Sequence, residues 1–111
     1  MIVEYIRYTI ADAQRRAFED GYAQAQTALI TSPHWRSHEL AQCVEDPTSY
    51  ILRIEWDSIE GHLQGFRTSA AFRTFFAAIQ PFVTNITEMR HYAVTAIAGT
   101  ATTEPPALPP R

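Results

Sequence analysis

The sequence predicts an α+β fold, a ferredoxin-like βαββαβ sandwich in which two helices cover one face of a four-stranded antiparallel sheet. Two observations support this class. Strand-like and helical apolar patterns follow one another in the order strand, helix, strand, strand, helix, strand. The length of 111 residues also suits one domain with a single core. We therefore expect one domain over residues 1–98 and a disordered, Pro- and Thr-rich tail over residues 99–111.

The first strand and the first helix are indicated by residue type and spacing. Residues 2–9, IVEYIRYT, are rich in β-branched and aromatic types and are apolar on both parities, so we expect cover on both sides. Asp12 can cap a helix. The residues that recur on one face of this helix are Phe18, Tyr22, Ala25 and Leu29. Ser32 and Pro33 end it, because the residue before proline is biased away from the helical region.

Two further strand-like runs form a hairpin, and another closes the sheet. Residues 36–45 and 48–56 are joined across Asp46 and Pro47, where proline presets a turn dihedral angle. Residues 84–94, TNITEMRHYAV, make the last strand.

The second helical region, between the hairpin and the last strand, is interrupted by glycine. Asp57 and Glu60 have the spacing of a capping box, but Gly61 and Gly65 weaken the segment that follows. Ser69 can restart the helix. The apolar face of the restarted helix consists of Phe72, Phe75, Phe76 and Ile79.

The amino-acid composition argues against several classes of function. A net charge of -3 with scattered arginines gives no general attraction for phosphate backbones, so we expect no nucleic-acid partner. The chain has no lysine, which excludes a lysine Schiff base and resident pyridoxal phosphate. Cys43 is the only cysteine, so no internal disulfide can form. No apolar run is long enough to span a membrane and no secretion signal is recognisable, so we expect no membrane association and a cytoplasmic location.

Two helices cover only one face of a four-stranded sheet, which leaves the other face to be sheltered in another way. We expect that face to carry apolar side chains with a few charges among them, namely Ile2, Ile6, Ile51, Glu4, Arg53 and Glu55. A second copy of the sheet is the simplest cover, and it predicts a two-fold homodimer.

The stretch SPHWRSHEL, residues 32–40, contains His34 and His38 and allows three interpretations. A helical metal motif is disfavoured, because the proline favours an extended chain in which the two rings would lie roughly 13 Å apart. A metal ion would then need ligands from elsewhere, such as His62, His91 or Glu39, and we predict no metal site. The rings can instead be hydrogen-bonded polar groups, or His38 can transfer protons near neutral pH. Cys43 has the opposite parity to His38, so a Cys-His dyad is not expected.

Several other side chains can be structural or can contact a ligand. One parity of the third strand forms an aromatic and aliphatic stripe, Tyr50, Leu52, Ile54 and Trp56. Such a stripe is typical of a core, although its polar tips can line a cavity. Arg7 and Arg90 are central in their strands, where each needs an acidic partner or an anionic ligand. His62 follows a glycine on a helical segment, and we expect it to be solvated.

Three segments carry a resemblance to a known family. They are MIVEYIRYTI, then SHELAQCVEDPTSYILRIEWDSIEGH, then FRTSAAF over residues 66–72. Over residues 2–94 the chain resembles the antibiotic biosynthesis monooxygenase (ABM) family of dimeric α+β barrel proteins. The resemblance implies a homodimer in which each subunit has a pocket between sheet and helices. In characterised members that pocket oxidises polycyclic phenols to quinones without metal or flavin, and similar modules fused to truncated haemoglobins imply a functional link to such proteins.

The functional residues of the family transfer poorly to this chain. Members that oxidise aromatic polyketides or degrade haem place an asparagine, a tryptophan and, for haem, an iron-binding histidine at positions that align at or near Arg7, Phe66 and Phe76. Phenylalanine cannot bind iron and a guanidinium does not reproduce an amide. The resemblance therefore disfavours haem degradation, and we expect no cofactor.

We expect from all of this an ABM-type monooxygenase that acts on a small aromatic, quinone-forming substrate. The candidate catalytic residues are His38, which would deprotonate a phenol, and Arg7 or Arg90, which would stabilise the anion. The candidate substrate-binding residues are Tyr5, Tyr50, Trp56, Phe66 and Phe76. The alternative is a non-catalytic dimeric module that binds a small apolar ligand or belongs to a stress response.

Overall fold

The computed structural model describes residues 1–101. Its main elements are β1 (Ile2–Thr9), α1 (Arg15–Leu29), β2 (Trp35–Gln42), β3 (Ser49–Trp56), α2 (Ala70–Ile79) and β4 (Ile86–Ala93). The strands form one antiparallel sheet in the order β2-β3-β1-β4. The predicted α+β ferredoxin-like fold is therefore confirmed.

The first helix, α1, begins at Arg15 rather than directly after Asp12. Asp12–Gln14 form a short 3₁₀ turn in which the Asp12 carboxylate pairs with Arg15 at 2.6 Å. The predicted apolar face is buried as expected, at Phe18, Tyr22, Ala25 and Leu29. The helix ends at Leu29, before the proline that disfavours its continuation.

The second helical region contains a π-helix, Gly61–Phe66, followed by α2. Ser69 caps α2 as predicted, because its hydroxyl oxygen accepts a hydrogen bond from the backbone N–H of Phe72 at 3.2 Å. Phe75 and Ile79 then bury the inner face of α2 against the core.

The register of the sheet decides which side chains face the helices. Ile2, Glu4 and Ile6 pair with buried residues of β3 on the covered face, whereas Arg7 pairs with Ile51 on the open face. The expectation that Ile2, Ile6 and Glu4 lie on the open face is therefore wrong. Because β1 is apolar on both parities, its periodicity could not identify the side that packs against the helices.

The core between helices and sheet is aromatic. Phe18 lies at its centre, and its ring centroid is 4.8 to 5.3 Å from those of Tyr8, Tyr22, Tyr50 and Phe82. Such tilted and edge-to-face arrangements are the favoured geometry of aromatic pairs. This cluster joins β1 and β3 to α1 and to the turn after α2.

Regular structure within the described chain ends at Ala93, and residues 94–101 contain no helix or strand. Most of the predicted tail, residues 102–111, lies outside the described residues. None of the helices in residues 1–101 is long and apolar enough to cross a lipid bilayer.

Candidate functional site

A cavity of about 170 Å³ lies between the helices and the covered face of the sheet. The aromatic side chains that line it are Tyr8, Tyr22, Trp56, Phe66, Phe72, Phe75 and Phe76. Glu4, His62 and Arg67 add a small polar sector to this apolar wall. An apolar cavity with a few polar groups is the usual form of a small-molecule site.

Glu4 is a carboxyl group in the middle of the sheet, and only 1% of it is exposed. Its Oε1 atom accepts a hydrogen bond from the indole N–H of Trp56 at 3.2 Å. Burial raises the pKa of Glu4 from 4.5 to about 7, against the opposing effects of the Trp56 hydrogen bond and the positive charge of Arg67. Both protonation states of Glu4 are therefore accessible near neutral pH, which suits a general base.

His62 lies on the π-helix and is 2% exposed, so the expectation of a solvated side chain is wrong. Its ring stacks on Trp56 with a centroid distance of 4.4 Å. The Nε2 atom is 3.5 Å from Oε1 of Glu4, and the Nδ1 atom is 2.7 Å from Nε2 of His91. Burial, helped by His91 and Arg67, lowers the pKa of His62 to about 3. The imidazole is therefore neutral at physiological pH.

Two glycines explain why the chain turns His62 inward. A methyl group on Gly61 would lie 2.2 Å from Oδ1 of Asp57, and one on Gly65 would lie 2.5 Å from the ring of His34. The glycine side of the π-helix therefore packs closely against His34, whose Nδ1 pairs with Asp57 at 2.9 Å. The opposite side of the π-helix turns His62 and its neighbours towards the cavity.

His91 and Arg67 complete the polar sector. His91 lies directly opposite Glu4 in the register between β1 and β4, and it is half-buried. Burial, followed by the charge of Arg67, lowers the pKa of His91 as well. Arg67 is exposed at the cavity, with its guanidinium carbon 4.9 Å from the centroid of the Phe72 ring. This cation can meet a negative charge that develops on a bound molecule.

Tyr8 and Tyr22 share a hydrogen bond between their hydroxyl groups at another part of the wall. Burial raises the pKa of Tyr8 to about 12 and raises the pKa of Tyr22 further. Both phenols are therefore neutral and serve as hydrogen-bonding groups rather than as bases.

Glu4, His62 and His91 each offer one ligand atom within 4.8 Å of the others, a set that includes the donor types of many divalent-metal sites. The two nitrogens of His62 are directed to different partners, however, Nε2 to Glu4 and Nδ1 to His91. The three side chains therefore form a chain of polar contacts, which we call the Glu4–His62–His91 chain.

The structure places His38 outside the cavity. Its Nδ1 accepts a hydrogen bond from the indole N–H of Trp35 at 3.0 Å, and its Nε2 lies 2.8 Å from the side-chain oxygen of Gln26. Both ring nitrogens are thus occupied, which corresponds to the hydrogen-bonded polar group that the sequence also allowed. Burial lowers the pKa of His38. His38 has no lone pair free for a phenol in this arrangement.

Arg7, Arg90 and Tyr5 lie on the open face of the sheet, and none of them lines the cavity. The Nε atom of Arg7 donates to Glu88 at 3.2 Å, and that of Arg90 is 3.9 Å from the same carboxylate. Tyr5 packs edge-on against Tyr92. The two arginines therefore have the acidic partner that their position requires, and the predicted set with His38 is not assembled within one chain.

The predicted aromatic contacts divide into two groups. Trp56, Phe66 and Phe76 line the cavity, and their role in substrate binding stays a prediction. Tyr50 belongs to the core instead, and its hydroxyl group donates to Glu19 at 2.5 Å.

Sequence reasoning missed Glu4, His62, His91 and Arg67 as a group. The available signal was a carboxylate on a parity of the first strand that is otherwise apolar, since such a group requires a partner if it is buried. Nothing in the spacing of residues 4, 62 and 91 indicates that they meet. The sheet order makes β1 and β4 neighbours, and the π-helix reaches them only through tertiary packing.

Comparisons with known proteins agree with this fold. A family model of antibiotic biosynthesis monooxygenases matches residues 1–78. The uncharacterised protein YczJ of Bacillus subtilis (strain 168) is 28% identical over 92 residues, which cover 83% of this chain and 97% of YczJ.

Two solved structures show the same architecture. A Bordetella bronchiseptica protein, provisionally named an antibiotic biosynthesis monooxygenase, matches with a TM-score of 0.72 and 23% identity over 85% of this chain and 96% of its own. SnoaB, a cofactor-independent oxygenase of Streptomyces nogalater, matches with a TM-score of 0.64 and 17% identity over 93% of this chain and 97% of its own. At these identities the structural likeness establishes the fold. Because the family model covers most of the sequence, the chain belongs to the antibiotic biosynthesis monooxygenase family.

Proposed function

We propose that this protein is an oxygenase that converts a small phenolic substrate to a quinone inside the aromatic cavity, without a cofactor. The observation that carries the proposal is the Glu4 carboxyl group, a base with a pKa of about 7 set in the wall of an aromatic-lined cavity. Membership of the family and the likeness to SnoaB, a cofactor-independent oxygenase, support the reaction class.

The size of the cavity favours a substrate of one or two rings. Its volume of about 170 Å³ is close to that of the engineered cavity of about 150 Å³ that binds benzene. The flat rings of Trp56, Phe66 and Phe72 offer stacking and edge contacts to an aromatic molecule. Arg67 is placed where it would stabilise the anion of an ionised hydroxyl group.

The reaction begins with transfer of the phenolic proton to the Glu4 carboxylate. The electron-rich phenolate gives one electron to O₂, and the two radicals combine to form a carbon–oxygen bond. The peroxide then takes up a proton, its O–O bond breaks, and the carbon loses its hydrogen. One oxygen atom remains as the new quinone carbonyl and the other leaves as water, so phenol and O₂ balance quinone and H₂O.

Oxygen uptake with a naphthol whose para position carries hydrogen tests this proposal. We expect uptake above the rate of autoxidation, with one atom of isotopically labelled O₂ in the naphthoquinone product. Glu4→Gln should lower turnover by about 100-fold or more, because the amide cannot accept the proton. Glu55→Gln is the matched control, since Glu55 lies on the open face of the sheet. Binding of the naphthol without oxygen uptake would contradict the proposal and would favour the non-catalytic ligand-binding module.

A further inference from the structure

We propose that the Glu4–His62–His91 chain is a proton relay that connects the reaction cavity to the solvent. This inference rests on the proposed function, because it assigns a path to the proton that Glu4 removes from the substrate. Glu4 itself is 1% exposed, so a molecule that fills the cavity leaves it no direct contact with water. The two histidines behind Glu4 supply an alternative route.

The geometry places the three groups in series. His62 lies between the other two, with Nε2 3.5 Å from Glu4 Oε1 and Nδ1 2.7 Å from His91 Nε2. The second contact is a hydrogen bond, and the first becomes one when Glu4 takes up a proton, because the protonated carboxyl group can then donate to Nε2. Stacking on Trp56 holds the His62 ring in the orientation that directs its two nitrogens to opposite sides.

The position of His91 provides the outlet. It lies on β4, which is an edge strand of the sheet, and its side chain is half-buried. Glu4 and His62 are both buried, whereas His91 is partly exposed, so the chain runs from the cavity wall towards the solvent. Imidazole carries protons well in such a chain because one nitrogen can accept while the other donates.

Each group in the chain releases one proton for every proton that it accepts, so His62 carries no net charge after the transfer. Glu4 takes the phenolic proton and passes it to Nε2 of His62, while His62 releases its Nδ1 proton to Nε2 of His91, which gives a proton to water. When the peroxide forms, the same transfers run in reverse and protonate it, which also restores the starting tautomers. Only O–H and N–H bonds change, and no electron moves through the chain.

The charges around the chain favour this concerted transfer. Arg67 lies on the helical side, and its charge acts on all three members of the chain. Tyr8 on β1 and Tyr22 on α1 are the other titratable groups coupled to Glu4, and both stay neutral. A stable imidazolium on His62 is disfavoured by burial and by Arg67, so the proton must pass through rather than stay.

The first test needs no substrate. In protein with ¹⁵N-labelled histidine, we expect a scalar coupling across the hydrogen bond between His62 Nδ1 and His91 Nε2, and we expect His91→Gln to remove it. Absence of the coupling in the unsubstituted protein would overturn the relay. So would binding of one Zn²⁺ or Fe²⁺ ion per chain at this cluster, since a bound ion would occupy the nitrogens that the proton needs.

The second test uses turnover of the naphthol. His91→Gln should lower the rate by about 10-fold to 100-fold and leave the dissociation constant of the naphthol unchanged, because glutamine keeps a polar group but passes no proton. Added imidazole should restore the rate of His91→Ala. His38→Gln is the matched control, because the structure places this histidine outside the cavity, where it is hydrogen-bonded to Trp35 and Gln26. Full activity of His91→Gln would overturn the relay while leaving the proposed oxygenase intact, whereas no oxygen uptake by the unsubstituted protein would overturn both.

Discussion

Glu4 is a titratable carboxyl group buried within a sheet, and its protonation is linked to the stability of the fold. A pKa raised from 4.5 to about 7 means that the folded state binds the proton more tightly than the unfolded state. Its contribution is therefore fully favourable below pH 4.5 and is lost as the pH rises through 7. The pKa of His62, lowered from 6.5 to about 3, acts in the opposite direction, since its contribution is present above pH 6.5 and is lost as the pH falls through 3.

These opposing effects predict the behaviour of Glu4→Gln. Between pH 4.5 and 6.5 the contributions of Glu4 and His62 offset each other, so the free energy of unfolding should vary little on their account. In Glu4→Gln only the His62 effect remains, and the free energy should rise across this window. From pH 4 to pH 8, the free energy of unfolding of the variant should rise by roughly 3 kcal/mol relative to that of the unsubstituted protein. Urea denaturation at a series of pH values measures this, and parallel curves for the two proteins would contradict it.

The hydroxyl pair of Tyr8 and Tyr22 predicts a coupling between two residues. Tyr22→Phe leaves the buried hydroxyl of Tyr8 without its partner, and we expect a loss of about 1–3 kcal/mol. The double substitution removes both polar groups and should cost less than the sum of the single changes. Chemical denaturation of the four proteins gives the interaction energy. Simple additivity would show that the hydrogen bond contributes nothing to stability.

At the scale of the elements, the π-helix shows what sequence patterns could and could not predict. Helix propensity alone identifies Gly61 and Gly65 only as weak points of a helix. In the structure they form the side of the π-helix on which His34 packs, and no side chain larger than hydrogen fits there without displacing its ring. The close approach is a tertiary feature between segments that are distant along the chain, so propensity carries no information about it.

This packing predicts that the effect of Gly65→Ala on stability depends on whether the His34 ring is present. Gly65→Ala should destabilise the protein by about 1–3 kcal/mol, because its methyl group would lie 2.5 Å from the ring of His34. In a His34→Ala background the space is open, and the same substitution should become neutral or stabilising by up to about 1 kcal/mol through helix propensity. Thermal or urea unfolding of the four proteins tests the cycle. An equal effect of Gly65→Ala in both backgrounds would contradict the assigned contact.

For the strands, the sequence predicts some features of the sheet and leaves others open. The order of the strands along the chain and the hairpin between β2 and β3 were predictable, because apolar periods, turn residues and caps are local signals. The assignment of faces succeeded for β3, where only one parity is consistently apolar, and failed for β1, where both are. The Glu4–His62–His91 chain depends on the face of β1 that Glu4 occupies, which the apolar pattern does not identify. The site could not be predicted until the register between β1, β3 and β4 was known.

At the scale of the whole molecule, the open face of the sheet is the remaining surface to account for. It presents Tyr5, Ile51 and Tyr92 among the charged groups of Arg7, Arg53 and Glu55. Tyr92 is 45% exposed, and its ring packs on Tyr5. An apolar strip flanked by charges of both signs is suited to a two-fold interface in which the same surface is contributed twice. We therefore retain the homodimer as a proposal for this face.

Sedimentation equilibrium at micromolar concentration tests the homodimer, and we expect twice the chain mass of 12.6 kDa. Tyr92→Glu should shift the equilibrium to the monomer, because it removes an aromatic ring from the apolar strip and adds a carboxylate that is costly to bury. Val44→Glu introduces the same charge at an apolar side chain that is 91% exposed in the loop between β2 and β3, and it should leave the dimer intact. The cavity lies on the other side of the sheet, so the Tyr92→Glu monomer should still bind the naphthol. A monomeric unsubstituted protein, or a dimer that Tyr92→Glu does not weaken, would show that this face is not the interface.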